Sequence, residues 1–259
     1  MNSDFTCGFI GLGLIGGSIA RAIRQFYPKS RLMAFEINRD ALSAAAADGV
    51  IDTPLSAIGK ELSDCDYIFL CAPVAENNRN LAQLKKYLAP SCILTDVGST
   101  KTDIHKHIEA AGLSDRFIGG HPMAGRERGG FTASSEDLYV GASMILTPDE
   151  RTDMRLLETL KTFFLDVGFA GLTFSDPEEH DRIIAFTSQL AHITSSAYVK
   201  SPEAQRRRGF SAGSFQDMTR VARLDEKMWT ELFMDDADYL VKELDILIEN
   251  LSAYSVALK

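Results

Sequence analysis

The stretch that decides the fold is Cys7-Gly8-Phe9-Ile10-Gly11-Leu12-Gly13-Leu14-Ile15-Gly16-Gly17-Ser18. A short apolar run ends in a G-x-G-x-x-G sequence, which opens a helical stretch from Gly17 to Arg24. That order, strand then turn then helix, gives the glycines their meaning. Gly11 permits the tight turn, Gly13 lets backbone N–H groups approach a pyrophosphate, and Gly16 allows close packing of helix on strand. The helix N-terminus adds partial positive charge. Glu36 ends the next apolar run twenty residues after Gly16, where a carboxylate accepts hydrogen bonds from a ribose 2′-hydroxyl and repels a 2′-phosphate. Gly11, Gly13, Leu14, Ile15, Gly16 and Glu36 therefore form a candidate dinucleotide site that favours NAD over NADP.

Working outward, short apolar runs alternate with amphipathic segments to about residue 172, the pattern of βαβ units and a mostly parallel sheet. Expected strands are Cys7 to Ile10, Arg31 to Phe35, Tyr67 to Cys71, Ile93 to Asp96, Phe117 to Gly119 and Ser143 to Leu146. Most are apolar on both faces, as buried parallel strands require. After Ser175-Asp176-Pro177 strand signals vanish. Pro177 suits a first helical position, and Glu178 and Glu179 complement the helix dipole. The fold class expected is α/β: a Rossmann-type, mostly parallel sheet over residues 1–172, followed by an all-helical substrate-binding and dimerisation domain over 173–259. One helix is expected to run to about Lys200, where Ser201-Pro202 interrupts it. Leu240, Leu244, Leu247, Leu251, Tyr254 and Leu258 alternate spacings of four and three, a seam that packs either on its own domain or on a second copy of the chain.

The chain has 259 residues, 45% hydrophobic and 24% charged, with a net charge of −9. This acidity argues against nucleic acid, which needs a concentrated basic face. Arg206-Arg207-Arg208 reads as a solvated turn. Cys7, Cys65, Cys71 and Cys92 are scattered, without the C-x-x-C pairing of a zinc site or a disulfide frame, and read as packing residues in a reduced compartment. The first residues lack a basic leader and no apolar run approaches a membrane span, so a cytoplasmic protein is expected.

In open α/β sheets ligands sit beyond the carboxyl ends of the strands, which directs attention to Asp96-Val97-Gly98-Ser99-Thr100-Lys101 and Gly119-Gly120-His121-Pro122-Met123-Ala124-Gly125. His121, flanked by glycine and proline, is the candidate base for the proton that a carbinol must lose when it gives up hydride. Ser99 either shares that hydrogen bond or caps the helix that contains Lys101 to Ile108.

These residues resemble the prephenate and arogenate dehydrogenases of tyrosine biosynthesis. The resemblance spans nearly the whole chain, through the glycine fingerprint, Gly98-Ser99-Thr100-Lys101, Gly120 to Gly125, Glu179-His180-Asp181, Ser188-Gln189-Leu190-Ala191-His192, and Asp217-Met218-Thr219-Arg220 followed by Trp229. It implies an oxidative decarboxylation without a metal. Hydride leaves C4 of a cyclohexadiene ring for the nicotinamide, the ring carboxylate departs as CO2, and aromatisation drives the reaction. By similarity His121 takes the C4 hydroxyl proton, Ser99 hydrogen-bonds that hydroxyl, Arg220 holds a substrate carboxylate, His192 assists at the other one, and Trp229 walls the site. Gln189 stands where many bacterial members carry histidine. A glutamine cannot become cationic, which leaves prephenate and arogenate both open as substrate. A homodimer through the C-terminal helices is implied, and at 259 residues neither a fused chorismate mutase nor an ACT domain is expected. Other Rossmann dehydrogenases with helical C-terminal domains, such as β-hydroxyacid dehydrogenases and pyrroline-carboxylate reductases, and a non-catalytic NAD-binding sensor are the alternatives.

Overall fold

The computed structural model describes residues 4–126 and 128–259. The chain divides into two compact units, Met1–Pro177 and Glu178–Lys259.

The first unit is built on eight strands: β1 (Thr6–Ile10), β2 (Arg31–Phe35), β3 (Thr53–Leu55), β4 (Tyr67–Leu70), β5 (Ile93–Asp96), β6 (Phe117–Pro122), β7 (Ser143–Thr147) and β8 (Gly171–Phe174). They form one sheet in the order β3-β2-β1-β4-β5-β6-β7-β8. Neighbours run parallel except β6 and β7, which pair antiparallel. The helices of this unit are α1 (Leu14–Phe26), α2 (Arg39–Ala47), α3 (Val74–Leu84), α4 (Thr102–Ala111) and α5 (Met154–Asp166). Period-two alternation sends neighbouring strand residues to opposite faces. Phe9 and Phe69 therefore join Ile19, Ile23, Phe163 and Phe164 in one core, while Ile10, Ile68 and Leu70 join Leu81, Ile104 and Ile108 in another. Each fully buried large apolar side chain contributes roughly 1.5–3 kcal/mol.

Two strands escape a reading of the sequence. β3 is three residues long with Pro54 at its centre, and it is tolerated because it lies at the sheet edge, where a missing N–H is no loss. β8, at the opposite edge, is half-buried to exposed, so it lacks the apolar run that marks an inner strand. It crosses the expected 172/173 boundary, and the division between the compact units follows at Pro177.

The second unit is helical: α6 (Pro177–Ile184), a π-helical turn (Ala185–Leu190), α7 (Ala191–Tyr198), α8 (Gly213–Thr219), α9 (Glu226–Asp235) and α10 (Ala237–Ala257). Its small core gathers Ala185, Leu190 and Leu240, with Ile193, Phe233, Leu244 and Leu247 packed against it. Along the α10 seam Leu240 is buried, whereas Leu251, Tyr254 and Leu258 are 57%, 72% and 87% exposed. The expected seam thus divides: its first half packs within the unit, and its second half lies open on the single chain. No helix among the described residues is long and apolar enough to cross a membrane.

Candidate active site

β1 delivers the chain into the fingerprint with Gly11 at φ 96°, a left-handed conformation that favours glycine. A Cβ on Gly11 would lie 2.6 Å from the Ala72 nitrogen, and one on Gly16 would lie 2.7 Å from the Gly11 carbonyl oxygen and 2.9 Å from the Cys71 Cβ. A Cβ on Gly13 would meet nothing within 4 Å, and Gly13, at the N-cap of α1, supplies no side-chain cap. Gly13 therefore leaves room at the N-terminus of α1, the positive end of a helix, where a diphosphate is favoured. Ile15 is fixed from behind by the Tyr139 hydroxyl, which donates to its carbonyl at 2.7 Å.

Glu36 follows β2 and reaches back to the fingerprint. Its Oε2 accepts from the Leu12 N–H at 2.7 Å and its Oε1 from the Asn38 N–H at 2.8 Å. The residue expected to read a ribose thus also holds the glycine turn in shape. Each carboxylate oxygen retains acceptor capacity for a further donor. Arg39 donates instead to the carbonyls of Leu55 and Ser56 at 3.5 and 3.2 Å.

Adjacent strands of the same sheet carry Ser99 and His121 to the site: Ser99 lies on the loop after β5, and His121 within β6. The structure corrects the expectation that β6 stops at Gly119. Pairing with β7 carries the strand through Pro122, with His121 opposite Ile145. The glycine pair ahead of His121 serves packing. A Cβ on Gly119 would clash with the Thr147 hydroxyl and lie 2.8 Å from His105 Nε2, and one on Gly120 would lie 2.7 Å from the Asp96 carbonyl oxygen. α4 begins at Thr102 with Lys101 at its N-cap, so the capping position is not Ser99's. Both Ser99 and His121 are half-buried.

Beneath them lies an ion pair that sequence reading passed over. Lys101 is fully buried and Asp96 is 1% exposed, and the Lys101 Nζ bonds to Asp96 Oδ2. Lys101 Nζ also donates to the Gly120 carbonyl at 2.8 Å, Asp96 Oδ1 accepts from the Gly120 N–H at 3.1 Å, and Asp96 Oδ2 accepts from the Gly98 N–H at 2.9 Å. A lysine after a strand resembles any solvated helix-start cation, and only the tertiary fold reveals its burial. Removing one partner of such a pair leaves an uncompensated charge, at a cost of roughly 3–5 kcal/mol.

In the helical unit, the His192 Nδ1–H donates to the Ser188 carbonyl at 2.9 Å. This leaves Nε2 as the nitrogen open to a ligand. The imidazole lies 3.9 Å, centroid to centroid, from the Trp229 ring, which in turn meets Phe233 at 5.3 Å. Arg220 is exposed at the C-cap of α8. α8 is tied to α7 by the Ser195 hydroxyl, which donates to the Met218 carbonyl at 2.7 Å.

Gln189 is placed differently from the helix-face expectation. The π-helical turn breaks the three-residue register with His192, and Gln189 is 1% exposed. Its Nε2 donates to Asp236 Oδ2 at 2.7 Å, and its Oε1 is buried without a hydrogen-bond partner among the described residues. Burial, and then the nearby Asp181 carboxylate, push the Asp236 carboxyl up to about 7. His180 bonds to that same Asp181 at 2.7 Å. The cysteines are all free, and burial raises the Cys71 thiol well above its ordinary range, which suits packing.

The prephenate dehydrogenase nucleotide-binding domain matches residues 19–170, and the prephenate dehydrogenase dimerization domain matches residues 176–259. The chain belongs to the prephenate dehydrogenase family. Prephenate dehydrogenase of Bacillus subtilis strain 168 is 32% identical over 93% of this chain and 67% of its own length. Among solved structures, prephenate dehydrogenase of Aquifex aeolicus in complex with hydroxyphenyl propionate and NAD+ has a TM-score of 0.87 at 29% identity, covering 98% of this chain and 90% of the other. Arogenate dehydrogenase of Synechocystis has a TM-score of 0.83 at 27% identity, covering 98% and 91%.

Proposed function

We propose that this chain is an NAD-dependent prephenate dehydrogenase that oxidises and decarboxylates prephenate to 4-hydroxyphenylpyruvate and CO2. The observation that carries the reading is the convergence, on one sheet, of an open glycine cradle backed by Glu36 and a half-buried histidine on the strand beside the Ser99 loop. The first-turn amides of α1, reached past Gly11, Gly13 and Gly16, hold the diphosphate, with Leu14 and Ile15 forming that turn. Glu36 takes the ribose hydroxyls. The dinucleotide, when bound, supplies the hydride acceptor.

His121 withdraws the proton from the C4 hydroxyl as the C4–H bond gives up its electron pair, so that the carbinol carbon becomes a carbonyl carbon. Ser99 orients the hydroxyl. The bond from the ring to its carboxylate then breaks, CO2 leaves, and its electron pair completes the aromatic ring. The phenolic oxygen recovers the proton. Arg220, with its planar fork, grips a substrate carboxylate. His192 presents Nε2 to the other, and Trp229 walls the site behind it. Gln189 acts on this region through its bond to Asp236. The open second half of α10 is the face on which a second copy docks, and the protein works as a cytoplasmic homodimer. The likeness to an arogenate dehydrogenase supports arogenate as the second substrate to test.

The test measures initial rates of NADH or NADPH formation with prephenate and with arogenate, each against NAD and NADP. Prephenate with NAD should give the highest kcat/KM. A higher value with arogenate would replace the substrate assignment, and no turnover in any of the four combinations would overturn the enzymatic one.

A further inference from the structure

One buried ion pair grips both residues that immediately precede the candidate catalytic side chains. Asp96 accepts from the N–H of Gly98, next to Ser99, and from the N–H of Gly120, next to His121, while Lys101 donates to the Gly120 carbonyl. Both backbone polar groups of Gly120 are thereby taken by side chains from the neighbouring strand end. Within a sheet such groups ordinarily go to a neighbouring strand's backbone. The missing side chains at Gly119 and Gly120 make the grip possible: a Cβ on Gly119 would stand 3.3 Å from the Lys101 Cδ, and one on Gly120 would press on the Asp96 carbonyl oxygen. The lysine stem therefore runs beneath the strand that carries the imidazole.

We propose that Asp96 and Lys101 are positioning residues that set the backbone of Ser99 and His121 for the hydride-transfer step, without touching substrate or dinucleotide. The pair is charge-compensated within itself and sealed from solvent. Its contribution is direction: two anchored peptide groups, one ahead of Ser99 and one ahead of His121. Misplacement of a catalytic group by about 1 Å costs on the order of a hundredfold in rate, so a clamp acting on the adjacent residue has large leverage. This inference rests on the reading of His121 as the base.

The experiment compares the full-length protein with Lys101→Met and with the double variant Asp96→Asn/Lys101→Met, which leaves no unpaired buried charge. A His121→Asn control is assayed alongside. Dinucleotide affinity, kcat and the primary isotope effect with C4-deuterated prephenate are measured for each. Both clamp variants should bind NAD as the parent does. Their kcat should fall by roughly ten- to a hundredfold, and their isotope effect should rise, because a displaced base slows the bond-breaking step. A merely structural role would shrink the active fraction and leave the isotope effect unmoved. Parental kcat and isotope effect in folded variants would overturn the proposal. Loss of NAD binding in both would also overturn it, since the pair would then hold the fold and not the base. Parental turnover in His121→Asn would instead defeat the assignment of the base and, with it, the reading on which the clamp depends.

Discussion

At the scale of single residues, His121 and Glu36 do different work. If His121 takes the C4 hydroxyl proton, His121→Asn should lower kcat by roughly 10² to 10⁴ while a fluorescence titration still shows parental NAD affinity; unchanged turnover would remove the imidazole from the mechanism. Glu36 holds the Leu12 and Asn38 amides, and the proposed function gives it the ribose hydroxyls as a second task. Glu36→Ala should cut the kcat/KM preference for NAD over NADP by roughly tenfold or more and also weaken binding of both. An unaltered ratio would contradict the assignment. Glu36 could be singled out in the sequence because it follows an apolar strand directly, whereas His121 lies inside β6, which pairing with β7 carries through Pro122. The clamp of Asp96 and Lys101 was not legible. Nothing in Asp-Val-Gly-Ser-Thr-Lys separates a buried pair from a solvated one until β6 is laid beside β5. Gln189 shows the converse: its offset from His192 reads as one helical face, and the π-helical turn sends its amide inward.

At the scale of elements, the junction of the π-helical turn and α10 carries a pH dependence. Asp236 is packed among Gln189 of that turn, Asp181 of α6, its neighbour Asp235 and Tyr239 of α10. In the folded protein its carboxyl keeps the proton up to about pH 7, whereas an unfolded aspartate releases it near ~3.9. Between those values the native state binds more protons than the unfolded one, so Asp236 subtracts stability as pH rises through the window and by a constant amount above it. Asp236→Asn removes this term. The variant should melt a few degrees above the parent at about pH 8, with the gap closing toward about pH 5; circular dichroism melts that show a pH-independent gap would contradict the assignment. The inner strands β1, β2, β4 and β5 were readable from sequence because burial on both faces makes them short apolar runs. β3 and β8 were not, because an edge strand needs neither apolar faces nor a complete set of N–H donors.

At the scale of the whole molecule, the second half of α10 is apolar and exposed on the single chain, and the proposed homodimer would cover it. Sedimentation at micromolar concentration should give a dimer, and Leu251→Glu combined with Tyr254→Glu should give a monomer; a parent that sediments as a monomer would discard this interface. The leucine spacing revealed the seam but not where it divides, since Leu240 and Leu251 are the same residue type in the same pattern and differ only in what packs on them. In the proposed reaction the ring loses hydride and its carboxylate in the same turnover. Its most direct test is product stoichiometry with prephenate labelled in the ring carboxylate and NAD in excess. One CO2 and one 4-hydroxyphenylpyruvate are expected for every NADH formed. NADH without labelled CO2, or no NADH at saturating substrate, would contradict it.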